Sequence, residues 1–133
     1  MIKHSCGKAG DFDDAENLLA YDEEHGIPNL ELIDIIADRN VGKGHLLAIV
    51  VSKPLDSCKR CQVRLAQKIE NYLTYINSDE IVKVWGSPTP DRITIEVNLE
   101  KGCHAETFVN LKRFVSWAEG HGATLIYTGM PKH

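Results

Sequence analysis

The chain has 133 residues, 43% of them hydrophobic, and a formal net charge of −4. This length allows one hydrophobic core, and the ordinary composition predicts a globular α/β protein with a single domain over residues 1–133. The negative charge argues against a nucleic-acid-binding surface. No apolar run reaches the roughly 20 residues of a membrane span, and the first residues include no apolar segment of signal-peptide length. We therefore expect a cytoplasmic protein without a membrane partner.

Residues 1–29 are predicted to form an arm and a short helix outside the main core, which spans residues 30–133. Within residues 11–24, Ala15, Leu18 and Leu19 recur at helical spacing. Aspartates stand at the front of this stretch, where the helix dipole favours negative charge. The glycine and proline that follow at positions 26 and 28 end the short helix.

Two strands are predicted next, Leu32–Asp38 and His45–Ser52. Both are rich in apolar residues, and the glycines within residues 40–44 permit a tight turn between them. The two strands should therefore pair as a hairpin. The second has an unbroken apolar run, which predicts burial on both faces and a central place in the sheet.

The clearest amphipathic helix covers residues 56–78. Its apolar residues recur at i, i+4, i+7, i+8 and i+11 on one face. They are Leu65, Ile69, Tyr72, Leu73 and Ile76. Asp56 or Ser57 can cap its start, and Pro54 prevents an earlier beginning. Cys58 and Cys61 fall in the first turn, where the helix dipole favours a thiolate with a lowered pKa.

Three further strands and one long helix complete the prediction. They are the strand Glu80–Trp85, the strand Ile93–Leu99, the helix His104–Glu119 and the strand Thr124–Thr128. Strict alternation in Ile93–Leu99 predicts one covered and one solvated face. The order (α)ββαββαβ defines an α/β two-layer sandwich, with a mixed sheet and both long helices on one face. Right-handed crossovers then bring the starts of the two long helices to the same sheet edge.

Four stretches carry a resemblance to a known family. They are Ile33–Ala37, His45–Val51, Pro54–Asp56 and Leu65–Glu80. On these stretches the chain, from about residue 30 to residue 128, resembles a family of small uncharacterised bacterial α/β domains. The resemblance implies a strand hairpin followed by a helix, and it implies no activity. The chain departs from the family pattern, with Pro54 in place of a histidine, Ser57 in place of a tryptophan, and cysteines that the pattern lacks.

Nitrogen and sulfur donors at the two helix starts are candidate metal ligands. They are Cys58, Cys61, Cys103 and His104. Cys-x-x-Cys is a common zinc half-site, and a second pair of donors would complete a tetrahedron. Because adjacent residues rarely bind one ion together, Cys6 or His4 is an alternative source of the fourth ligand. A Cys-x-x-Cys pair at a helix start after a buried strand is also typical of thiol–disulfide redox proteins.

Three functions stay open from the sequence. The first is a binding or interaction module that is not an enzyme, working as a homodimer or with a protein partner, with its cysteines as small buried residues. The second is a zinc-binding domain, and the third is a thiol–disulfide redox protein. A basic cluster is interpreted as a solvated helix face rather than a nucleic-acid site. It comprises Lys53, Lys59, Arg60, Arg64 and Lys68.

Overall fold

The computed structural model describes residues 18–38 and 44–128. These ranges hold four strands and three helices in an α/β fold. In chain order they are β1 (Ile35–Asp38), β2 (His45–Val50), α1 (Lys59–Ile76), α2 (Asp79–Trp85), β3 (Ile93–Asn98), α3 (Ala105–Gly120) and β4 (Thr124–Thr128). Residues 11–17 of the short helix predicted over residues 11–24 lie outside the described residues. In the described half, Leu18 and Leu19 are helical, whereas residues 20–24 form a bend, a turn and irregular backbone, so the prediction is wrong there. Within the described ranges, no helix combines the length and apolar character that a membrane crossing requires.

The strands form one mixed sheet in the order β1-β2-β3-β4. β1 and β2 pair antiparallel, which confirms the predicted hairpin, and the pairs β2–β3 and β3–β4 are parallel. Each parallel pair needs a crossover connection, supplied first by α1 with α2 and then by α3. Leu47, Ala48 and Ile49 are buried in succession, so both faces of β2 are covered at its centre, as its apolar run predicts.

The predicted strand Glu80–Trp85 is wrong, because these residues lie in the seven-residue helix α2. Ser78 caps this helix, since its hydroxyl accepts a hydrogen bond from the Ile81 N–H group at 3.4 Å. Asp79 and Glu80 occupy the first turn, where the dipole favours acidic side chains. Gly86 ends the helix at a φ of 83°, a conformation that favours glycine. Across residues 18–38 and 44–128 the order is therefore ββααβαβ, with four strands where five were predicted.

One face of β3 is predicted to be solvated, but it is only partly exposed to solvent. Ile93, Ile95 and Val97 are buried, as expected, but Thr94 on the opposite face is also only 7% exposed. Its register neighbours are Leu46 on β2 and Thr124 on β4. A strand with a neighbour on each side is shielded by their side chains, which strict alternation along one strand does not reveal.

The apolar face of α1 is buried, as predicted, at Leu65, Ile69, Tyr72, Leu73 and Ile76. Helix α1 contacts β2 and α3, and α3 contacts β4. These contacts support the two-layer sandwich, which stays a prediction.

The interpretation of the basic cluster as a solvated face is wrong for three of its members. Arg60, Arg64 and Lys68 are buried, whereas Lys53 and Lys59 are exposed. The reason is that the segment of residues 18–34 lies over the polar side of α1. Its backbone carbonyl groups accept hydrogen bonds from Arg64 and Lys68, so the cations are covered without losing their partners.

Candidate metal centre

Helices α1 and α3 begin side by side, as the sequence predicts. The backbone N–H group of His104, which precedes α3, donates to the carbonyl oxygen of Leu55 at 2.7 Å. Between the first turns, Gln62 Nε2 donates to Thr107 Oγ1 at 3.0 Å. Each helix follows a strand of the same direction in neighbouring positions of the sheet, so their starts meet at one edge.

Three side chains of ligating type meet at the start of α1. Ligand atoms of Asp56, Cys58 and Cys61 all lie within 4.8 Å of one another. Asp56 and Cys58 are half-buried, and Cys61 is fully buried. The carboxylate is held there because Asp56 Oδ1 accepts the backbone N–H group of Cys58 at 3.3 Å. Two sulfurs and a carboxylate oxygen are donors that zinc uses in proteins.

The Cys61 thiol is protonated at neutral pH. Burial raises its pKa to about 12, and the neighbouring Asp56 carboxylate opposes a second negative charge. The S–H group donates to Asp56 Oδ1 across 3.7 Å. The lowered pKa expected from the helix start is therefore wrong for Cys61, because desolvation outweighs the dipole.

His25 is a residue of this site that the sequence did not identify. Its Nε2 atom lies 3.5 Å from Cys61 Sγ, and the side chain is buried, with 1% of the residue exposed. Burial and the nearby Arg64 and Arg60 lower the pKa of His25 to about 4, so the ring is neutral at pH 7. No spacing signal links a histidine in an irregular segment to a cysteine pair on a later helix.

Cys103 and His104 lie at the start of α3 with other partners. The Cys103 sulfur accepts the Leu55 N–H group at 3.3 Å and donates to the Glu100 carbonyl at the same distance. Burial raises the pKa of the Cys103 thiol. His104 Nδ1 accepts the Glu106 N–H group at 2.9 Å and so caps α3. Among the described residues, neither belongs to the group of ligand atoms around Cys61.

The cysteines differ in bonding. Cys58 is disulfide-bonded, whereas Cys61 and Cys103 are free thiols. The two members of the Cys-x-x-Cys pair are therefore not joined to each other. Cys6 and His4, the alternative ligands expected from the sequence, lie outside the described residues.

Comparison with known proteins does not assign this site. The chain matches no protein-family model, and no curated protein and no solved structure is significantly similar to it. The resemblance to small bacterial α/β domains stays a prediction.

The free energy of unfolding of the metal-free protein should decrease as the pH falls from about 6.5 to 4. The pKa of His25 is about 4 in the folded protein against an ordinary value of 6.5. In this window the unfolded chain binds a proton that the folded chain does not, so the stabilisation is complete above pH 6.5 and is lost on acidification. The loss from His25 should reach about 3 kcal/mol at pH 4.

Denaturant unfolding at pH 7, 5.5 and 4 in the presence of a chelator measures this loss. Carboxyl groups contribute to the same profile, so His25→Asn serves as the reference that lacks the imidazole. The difference in free energy of unfolding between the two proteins should shrink by about 3 kcal/mol over the window. Parallel profiles would contradict the prediction.

Proposed function

We propose that the reduced protein binds a transition-metal ion, with zinc as the best fit, at Asp56, Cys58 and Cys61. The observation that carries the proposal is the approach of their three ligand atoms to within 4.8 Å of one another. Two thiolates and one carboxylate suit a borderline ion such as Zn²⁺. Mg²⁺ and Ca²⁺ prefer oxygen ligands throughout, so they should bind weakly or not at all.

The hydrogen bond between Cys61 and Asp56 supports a specific place for the ion. In the metal-free protein the thiol proton lies between Cys61 Sγ and Asp56 Oδ1, which are 3.7 Å apart. Cys61 and Asp56 would hold an ion in place of that proton, which would be released to solvent. Because the pKa of Cys61 is about 12, zinc must displace the proton, and its affinity should fall as the pH falls. The fourth position is left to water or to another donor of the chain.

The disulfide bond at Cys58 makes the proposal dependent on the redox state. Zinc is bound by thiolates, so Cys58 can serve as a ligand only after reduction. The same bond favours a second candidate function, thiol–disulfide exchange, because the free thiol of Cys61 lies close to Cys58. A thiol with a pKa of about 12 holds little thiolate at neutral pH and attacks slowly, so metal binding is the better-supported function. The interaction module stays a prediction.

Zinc titration of the reduced, chelator-treated protein tests the proposal. Wild-type protein should bind about one equivalent, measured by competition with a chromophoric zinc indicator. Cys61→Ser should weaken binding by at least about tenfold. Cys103→Ser is the matched control, since Cys103 is also a buried free thiol beside a helix start, and it should bind as wild type does.

Four outcomes would contradict the proposal. Binding of less than about a tenth of an equivalent by the reduced wild type would remove the metal function. An equal loss in Cys61→Ser and Cys103→Ser would contradict the choice of ligands. Undiminished binding by the oxidised protein would exclude Cys58, and fast disulfide exchange with no zinc binding would favour the redox function instead.

A further inference from the structure

We infer that His25 is a positioning residue of the proposed metal site, which donates its Nε2–H group to the Cys61 sulfur and so favours the metal-binding thiolate. The inference rests on the proposed function, because Cys61 becomes a thiolate when it binds the ion. It concerns a residue outside the three ligands, on a segment that precedes the sheet. The contact joins His25 Nε2 and Cys61 Sγ at 3.5 Å.

The direction of this hydrogen bond follows from the tautomer of His25. The backbone N–H group of Ile27 donates to His25 Nδ1 at 2.9 Å. A backbone amide can only donate, so Nδ1 must be unprotonated. A neutral imidazole with a bare Nδ1 carries its proton on Nε2. The ring nitrogen that faces Cys61 is therefore a donor, and the sulfur is the acceptor.

The hydrogen bonds around Cys61 run in one direction. Ile27 donates to His25, His25 donates to Cys61, and the Cys61 S–H group donates to Asp56 Oδ1. If an ion took the place of the thiol proton, Asp56 and Cys61 would hold it, and the bonds from Ile27 to His25 and from His25 to Cys61 would remain available. The sulfur would then carry a negative charge, and the bond from His25 would become a stronger, charge-assisted one. Outer partners of this kind tune ligand charge and metal affinity.

The same geometry argues against His25 as a direct ligand. Binding zinc through Nε2 would require the ring proton to move to Nδ1, and Nδ1 could then no longer accept from Ile27. The buried Ile27 N–H group would lose its acceptor, and a buried donor without a partner is destabilising. Donation to the sulfur has no such cost.

The segment that carries His25 is fixed against the rest of the molecule, so the fold itself holds His25 beside Cys61. The backbone N–H group of Ser52 donates to the Gly26 carbonyl at 3.0 Å. A Cβ atom at Gly26 would lie 2.6 Å from the carbonyl oxygen of Lys53, so only glycine allows this approach. On the other side of His25, Arg60 Nη2 donates to Asp22 Oδ2 at 2.7 Å.

A pair of substitutions separates donation to the sulfur from simple packing. Asn in His25→Asn can place its amide oxygen near the position of Nδ1 and keep the acceptor for Ile27, but it has no group that reaches Cys61. Gln in His25→Gln reaches the position of Nε2 with an amide N–H donor. In the reduced protein, His25→Asn should lower the zinc affinity about 10- to 100-fold, and His25→Gln should recover most of the loss.

Cobalt substitution gives a readout that packing alone would not move. The sulfur-to-cobalt charge-transfer band should shift to lower energy in His25→Asn, because a thiolate without its N–H donor holds its electrons less tightly. The band should return towards the wild-type energy in His25→Gln. The tetrahedral d–d bands should keep their intensity in both variants, because the ligand set is unchanged.

Nitrogen NMR of wild-type protein with labelled histidine tests the tautomer of His25 without any substitution. The inference can therefore be tested even if a His25 variant does not fold. His25 should show a protonated Nε2 and a bare Nδ1 with and without zinc. A zinc-bound Nε2, or equal wild-type affinity and charge-transfer energy in both variants, would overturn the role of His25 and leave zinc at the three ligands. Failure of the wild type to bind zinc or cobalt would overturn the proposed function itself.

Discussion

Replacing Arg64 by methionine should lower the free energy of unfolding by about 3–5 kcal/mol, because it removes a buried cation that holds the segment of residues 18–28 on α1. Arg64 is 0% exposed. Its guanidinium group donates to backbone carbonyl oxygens along that segment, those of Leu18, Ala20, Ile27 and Pro28. Burial lowers the pKa of Arg64 to about 10, so it is still charged at neutral pH.

The expected size follows from the carbonyl groups as much as from the charge. Methionine matches much of the length of arginine, so the cavity term is small, but it donates nothing. Each buried carbonyl that loses its donor costs about 1–3 kcal/mol unless water reaches it. Arg64→Lys keeps the positive charge but has fewer N–H donors, all on one nitrogen atom. It should lower the free energy of unfolding by roughly half as much as Arg64→Met does.

Chemical denaturation at pH 7 measures these losses. Lys59→Met is the matched control, because Lys59 is an exposed cation on the same helix, and its effect should stay within about 0.5 kcal/mol. Hydrogen exchange should also accelerate at backbone amides of the segment, such as that of His25, which donates to Asp22. A loss below about 1 kcal/mol in Arg64→Met would show that the carbonyl groups find other donors.

The contrast between the two sides of α1 shows what the sequence could predict. The apolar side was predicted residue by residue, because burial against a sheet follows the helical period. The other side was interpreted as solvated, and Arg64 and Lys68 are instead buried. The segment that covers Arg64 and Lys68 is irregular and has no repeating pattern of apolar residues. It is held by its backbone carbonyl groups, and because every residue has such a group, the sequence does not show which segment will bind these cations.

The same limits explain the error in α2 and the partial prediction of the site. The apolar residues within 80–85 are compatible with a short strand or a short helix. The hydrogen bond that caps the helix at Ser78 favours the helix. Spacing identified Cys58 and Cys61, because Cys61, in the first turn of α1, follows the N-cap position, Cys58, by three residues. It could not place His25 beside Cys61, since that contact depends on how a distant loop folds. The spacing also could not show whether burial or the helix dipole has the larger effect on the pKa of the Cys61 thiol.

Lys68→Met should cost about 3–5 kcal/mol, for a reason that differs from that for Arg64: it leaves a carboxylate without its cation. Lys68 is 1% exposed, and its Nζ atom donates to Asp34 Oδ1 at 3.1 Å and to the Leu32 carbonyl at 2.7 Å. Burial lowers the pKa of Lys68, against the attraction of Asp34. The other Asp34 oxygen accepts the Val50 N–H group at 2.9 Å. The carboxylate therefore also provides an acceptor for the last residue of β2.

A double-mutant cycle separates the charge pair from the carbonyl contacts. Asp34→Asn removes the negative charge and retains an acceptor for Val50, so Lys68→Met should cost about 1–3 kcal/mol less in that background than in the wild type. Lys112→Met, an exposed substitution on α3, should change the free energy of unfolding by no more than about 0.5 kcal/mol. Equal costs of Lys68→Met in both backgrounds would mean that Asp34 contributes as a hydrogen-bond acceptor alone. The buried lysine would then be held by backbone dipoles, as Arg64 is, and the two cations would act through one mechanism.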